Sequence, residues 1–398
     1  MDGEPLERVP LRDNGVGQGL VLTTVALMGL GVVMVFSAAG GASTAWYRRT
    51  DVRQALFAAA ALVLLGALWR VDYRWLARRP WAGRGVLGFV PSPAVLLLAV
   101  GLAGAALVLV PGIGHSVGGC RRWLRFWEIG IQPSEVLKFA LLIALAALLA
   151  RPGADPRRFS HAMLPAVVAI GLAVGLVVKH DFGQAAIIGL GAVALLFIAG
   201  VPWWHLMSLA APAAGGFYAF VVCDPKRWAR IDAMLHPFAP DNASAYQPLQ
   251  SMIAVASGAS PAGLGGGLAK YGYLPEGETD FIFSIVCNEL GLPGAAAVIA
   301  LLAVWAILAR KAAASAPDRF GALLAGGLGF LIVAQAAMHV AVAVVWMPPT
   351  GVALPFVSAG GTSLLMTAAA TALIASVASR RRTGPATRLA TALNATRS

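Results

Sequence analysis

With 398 residues, 59% of them hydrophobic and 12% charged, the chain is too apolar for a soluble globular protein. Apolar runs of bilayer length recur from end to end, which indicates an all-α polytopic membrane protein. The net charge of +12 would suit nucleic acid, but the basic residues lie in short loops between apolar runs, so they are read as topology signals and contacts with anionic membrane lipids, with no nucleic acid expected.

The runs predict about ten transmembrane helices, at roughly 17–38, 53–70, 87–110, 133–150, 162–178, 182–200, 203–222, 282–309, 320–343 and 355–378. An N-terminal tail (1–16) and an Arg-, Thr- and Ala-rich C-terminal tail (379–398) flank this 17–378 membrane domain. The small residues from Ser37 to Ala45 resemble a leader cleavage site, but the apolar run before them is longer than a leader's, so an uncleaved first helix is expected. Gly200-Val-Pro202 predicts a tight hairpin, and one long loop of about 223–281 separates the seventh and eighth helices. Alternate segments carry 18 Lys and Arg on one side, counting Arg84, against 11 on the other. That bias sets both termini in the cytoplasm and the long loop outside.

Basic residues on the outer side run against the bias: Arg121, Arg122 and Arg125, then Lys226, Arg227 and Arg230. They suit either an anionic ligand, since Arg grips phosphate through a planar fork, or headgroups beside the aromatic belt of Trp123, Phe126 and Trp127. Four acids lie at or inside span ends. Asp280 stands at the lip of the eighth helix, after a polar, Gly-rich loop, and is the best candidate for chemistry because an ionised group there needs a cavity or a partner. Glu135 and Lys138, three apart after Pro133, share a helix face and can neutralise each other. Lys138 can also reach across the bundle to Asp280 and keep it ionised, as a general base requires. Asp181 reads as an N-cap, and Glu289 as a buried hydrogen-bonding group between helices. Gly263–Gly267 lacks the Gly-Lys-Ser/Thr of a phosphate loop. Neither the six histidines nor the three cysteines have ligand spacing, so no built-in metal cage or other cofactor is expected.

Several segments, in order, resemble the SEDS proteins of the FtsW/RodA/SpoVE type. They are Gly119-Cys-Arg-Arg-Trp123, Gln132-Pro-Ser-Glu-Val-Leu-Lys138, Tyr246-Gln-Pro-Leu-Gln-Ser251 with Ser257-Gly258, Leu274-Pro-Glu-Gly-Glu-Thr-Asp-Phe-Ile-Phe283, and Pro349-Thr-Gly-Val-Ala-Leu-Pro-Phe-Val-Ser358 with Gly360-Gly-Thr-Ser363. Asn288, Ala359, Lys179-His180 and Gln184 depart from the family pattern. Gly29–Ser37, Asp181-Phe-Gly183 and Pro349-Thr350 lean toward the FtsW type.

The resemblance implies a peptidoglycan glycosyltransferase of the bacterial cytoplasmic membrane that polymerises lipid II at the outer face, for division or elongation. It implies Asp280 as the catalytic base with Lys138 as its partner, and Arg122 with Arg121 at the pyrophosphate. Glu135, Ser257, Thr279 and Ser358 join the substrate-binding set. It leaves room for a divalent cation, Mg or Mn. Its usual partner is a class B penicillin-binding transpeptidase, beside other proteins of the division or elongation complex. A lipid II flippase and a non-catalytic scaffold are the alternatives.

Overall fold

The computed structural model describes residues 6–39, 49–78, 92–117, 120–127, 129–239, 243–267 and 272–382. The cleavage-like run beyond residue 39, the start of the predicted third helix, Arg84 and the tail from 383 lie outside these residues.

Pro133 opens the helix around which the others are arranged. α4 (Pro133–Leu149) has proline at its first turn, where a missing N–H leaves no bond unmade, and is buried on nearly every side. α3 (Pro93–Leu109) packs against it closely: a Cβ on Gly101 would lie 3.0 Å from Leu137 Cα. α5 (Leu164–Val178), α6 (Phe182–Ile198), α12 (Arg319–Ala343) and α13 (Gly361–Ala378) also contact α4. α1 (Gly15–Ala38) leans on α11 (Ile282–Ala314), and α2 (Thr50–Leu68) on α13. Outward faces carry exposed Leu22, Phe36, Val63, Val100 and Phe197, as contact with lipid tails requires. Among the described residues, six helical segments are long and apolar enough to cross a membrane: 15–38, 50–68, 203–222, 282–314, 319–343 and 361–378.

Several predicted boundaries move for identifiable reasons. The predicted seventh span is broken into α7 (Trp203–Met207), α8 (Ala210–Phe217) and a π turn. Pro212, whose ring crowds the carbonyl four residues back, accounts for the break near Ser208. α11 is two helices joined at Gly291, where φ is 68° and ψ −165°. Pro293 has no N–H for the Glu289 carbonyl, which accepts from Gly263 N–H at 3.1 Å instead. The last span starts at Gly361 rather than 355, because Leu354-Pro-Phe356 belongs to a folded loop. The predicted long loop contains α9 (Pro225–Leu235) and α10 (Tyr246–Ala256).

The all-α expectation misses two small antiparallel sheets. β1 (Leu6–Arg8) pairs with β5 (Arg380–Arg382), bringing the two flanks of the bundle to the same side. β2 (Gly114–Val117), β3 (Cys120–Phe126) and β4 (Ile129–Ile131) form a three-stranded sheet ahead of α4.

Candidate active site

The 274–280 loop is a series of turns ending at α11. Asp280 N–H and Thr279 N–H both donate to the Glu276 carbonyl, at 2.9 and 3.2 Å. Glu276 itself sits at φ 55°, an uncommon conformation for a side-chain-bearing residue. The turn is clamped from the 349–360 loop. Ser358 Oγ donates to the Thr279 carbonyl at 2.7 Å and accepts from Leu354 N–H at 2.7 Å, while Ala359 N–H donates to the Glu278 carbonyl at 2.9 Å. Thr279 Oγ1 turns back on Glu276. Thr279 and Ser358 are therefore brought together, with their hydroxyls engaged in holding the loop.

Arg122 reaches the same place through a β-bulge. Ser116 pairs with Arg121 and His115 with Trp123, so Arg122 is the extra residue on β3. A bulge re-aims its side chain, and here the guanidinium turns inward. Its Nη1 lies 3.5 Å from Asp181 Oδ2, and its Nε is buried without a partner. Asp181 caps α6, accepting from Gln184 N–H at 3.0 Å, as its position predicts, and also accepts from Gln132 Nε2 at 3.2 Å. Gly351, at φ 68°, marks the convergence. A Cβ there would stand 3.2 Å from Arg122 Nη1 and 3.5 Å from Asp280 Oδ2. Burial pushes the Asp280 carboxyl up to about 6, with Glu276 adding to the rise, Arg122 and Arg230 opposing it, and Asp181 reinforcing it.

Lys138 does not pair with Asp280. Its ammonium is wholly buried and donates to Glu135 at 2.8 Å and to Gln335 Oε1 at 2.6 Å. Glu135 also accepts from Gln184 Nε2 at 2.7 Å. The local i,i+3 pair wins because Glu135 already lies within reach, whereas the Asp280 turn is tied to the 349–360 loop. Lys138 is linked to the site indirectly, through Gln335, which donates to the Ala353 carbonyl at 2.8 Å.

Other expected residues lie at the edge of this cluster or apart from it. Ser257 Oγ donates to the Ala254 carbonyl and accepts from Asn288, stitching α10 to α11. Arg121 is exposed on β3 and lines a small crevice with Arg122, His180 and Asp181. Arg227 is taken up by the Val178 and Phe220 carbonyls. Glu289 is buried and accepts from Ser37 of α1, the inter-helix role its position predicts.

Two recesses adjoin the cluster. One, ≈ 320 Å³, is lined by Arg53, Arg125, Trp123, Glu278, Thr279 and Gly360. The other, ≈ 440 Å³, is lined by Lys226, Arg230, Gln247 and Pro349. Gln335 and His339 were missed from sequence, although two polar side chains in an otherwise apolar helix are the signal that finds them.

Residues 18–383 match the family model described as cell cycle protein, FtsW/RodA/SpoVE. The chain is 37% identical over 362 residues to a probable peptidoglycan glycosyltransferase FtsW of Nitrosococcus halophilus, covering 89% of this chain and 90% of that one. It is 35% identical to the Halomonas elongata protein of the same name, over 96% of both. Among solved structures it superposes on a chain of a peptidoglycan synthase complex that coordinates polymerization and crosslinking, with TM-score 0.71, 26% identity and coverage of 91% and 97%. Against the rod shape determining protein RodA of Thermus thermophilus the TM-score is 0.63, at 25% identity, covering 90% of this chain and 95% of that one.

Proposed function

The chain belongs to the FtsW/RodA/SpoVE family of cell cycle proteins, and from that membership and the site's geometry we propose that it is a peptidoglycan glycosyltransferase that polymerises lipid II. The observation that carries the reading is the meeting of Arg122 and Asp280 at Gly351, between an acid raised to about 6 and a cation whose buried Nε is unpaired.

In this reading ten helices span a bacterial cytoplasmic membrane, with α7, α8 and the π turn as one broken span. Both tails, 1–16 and 379–398, are cytoplasmic and the 223–281 segment is outside. The Lys and Arg bias supports this, and so does the β1–β5 pairing, which puts both flanks on one side.

Asp280 takes the proton from the GlcNAc 4-hydroxyl of one lipid-linked chain. The oxygen so freed attacks the MurNAc anomeric carbon of the other, the bond to the pyrophosphate breaks, and undecaprenyl pyrophosphate leaves. Arg122 faces the charge that develops on the leaving group. The two recesses, both with basic walls, supply separate places for two pyrophosphate-bearing chains. Arg121 is an outer contact to the same anion. Glu135 and Lys138 act as positioning residues, as do Thr279 and Ser358, and Ser257 holds α10 in place. Mg or Mn would be carried on the pyrophosphate, whose charge it would offset, and no step is routed through it. A class B penicillin-binding transpeptidase and other division or elongation proteins are the proposed partners.

Purified protein in liposomes, with and without such a transpeptidase, should convert lipid II into glycan chains resolved on a gel. Translocation of labelled lipid II without polymer would replace the enzyme with a carrier, and neither activity would leave a scaffold.

The base must be ionised, so the rate should fall about tenfold per pH unit below about 6 and level off above it, as a rate–pH profile reads. Gly351→Val places a branched side chain at positive φ between Arg122 and Asp280. Turnover should drop about 100-fold while the protein still folds, measured as glycan made per minute beside a melting curve.

A further inference from the structure

α12 turns two polar side chains inward, four residues apart and so on one face: Gln335 and His339, both wholly buried. Gln335 Nε2 donates to the Ala353 carbonyl at 2.8 Å, and His339 Nδ1 lies 2.9 Å from the Val352 carbonyl. A carbonyl only accepts, so His339 carries its proton on Nδ1, and its buried Nε2 has no partner. These two side chains therefore hold consecutive carbonyls immediately after Gly351.

The amide of Gln335 has a fixed orientation. Lys138 can only donate, and it does so to Oε1 at 2.6 Å, so Nε2 must face Ala353. A buried ammonium thus determines which way the amide points, and the amide determines where the 351–354 backbone lies.

Resting on the glycosyltransferase reading, we propose that Gln335 and His339 are positioning residues for the reaction, which fix Gly351 and through it the spacing of Arg122 and Asp280. Lys138 acts on the site through Gln335 rather than by contact with the base. Neither side chain reaches substrate; each acts through the backbone it holds.

The test is steady-state polymerisation of lipid II by the full-length protein with its transpeptidase, alongside melting curves. Gln335→Glu keeps an acceptor for Lys138 and, as a carboxylate, turns an acceptor rather than a donor toward the Ala353 carbonyl. It should still fold, melting somewhat below the parent because a second buried carboxylate shares the Lys138 ammonium, yet lose about 100-fold in kcat, with KM changed less than about threefold. The acid limb of its rate–pH profile should also move away from about 6, because the charges felt by Asp280 (Glu276, Arg122, Asp181 and Arg230) are re-spaced. A role confined to stability would not shift that limb. His339→Leu should lose kcat similarly, and His339→Gln, which restores a donor, should recover most of it. Parent-like kcat and an unmoved acid limb in both Gln335→Glu and His339→Leu would overturn this inference and leave the proposed function standing. Absence of glycan from the parent protein would overturn that function as well.

Discussion

Asp280→Asn is expected to abolish polymerisation without unfolding the protein. An amide cannot take the hydroxyl proton, and loss of a general base costs about 100- to 10,000-fold in rate. The fold around position 280 does not depend on the carboxylate: the turn is held by the Asp280 and Thr279 N–H groups on the Glu276 carbonyl and by Ser358 on the Thr279 carbonyl. Burial and Glu276 raise the Asp280 carboxyl from its usual value to about 6, so the folded state binds that proton more tightly than the unfolded one. Ionised Asp280 therefore weakens the fold above about pH 6, and the asparagine variant should melt at or above the parent temperature at pH 7.5. A variant that loses both activity and melting temperature would mean that the carboxylate holds structure instead.

The second large effect concerns Lys138 and Glu135. Both are buried, and removing one leaves the other charged in the bundle interior. Glu135→Leu or Lys138→Met should each destabilise the protein by about 3–5 kcal/mol, since an unpaired buried charge loses its partner but not its desolvation cost. The double variant Lys138→Met with Glu135→Leu should regain most of that stability, because an apolar replacement of a buried ion pair is near neutral. It should not regain activity: the Gln335 amide would lose the ammonium that orients it, and Gln184 would lose its acceptor. Melting curves and polymerisation of the three variants form a double-mutant cycle in which stability and turnover part company. Recovery of both together would place Lys138 in the scaffold alone.

Much of this was readable locally. Pro133 and Asp181 announce their helix starts, and Glu135 and Lys138 their pairing, because each signal lies within one turn of chain. What was not readable depends on residues far apart. Arg122, which the family resemblance singles out, is by spacing alone one of three basic residues in an aromatic belt. Its inward aim comes from a bulge that exists only once Gly114–Val117 pairs with Cys120–Phe126. The 282–314 run keeps a high mean hydropathy despite Asn288 and Glu289, so hydropathy passes over a break that Gly291 and Pro293 impose. Lys138 was expected to seek the distant acid, but its local neighbour and a glutamine from α12 satisfy it first. Gln335 and His339 had no partner in view until the 349–360 loop folded back over them.

In the proposed mechanism Asp280 removes the proton that starts each new glycosidic bond. The most direct measurement compares glycan synthesis from lipid II by purified parent and Asp280→Asn proteins, each with its transpeptidase and each shown to melt normally. The expected result is long glycan chains from the parent and none from the variant. Chains of parent length and yield from Asp280→Asn would contradict it.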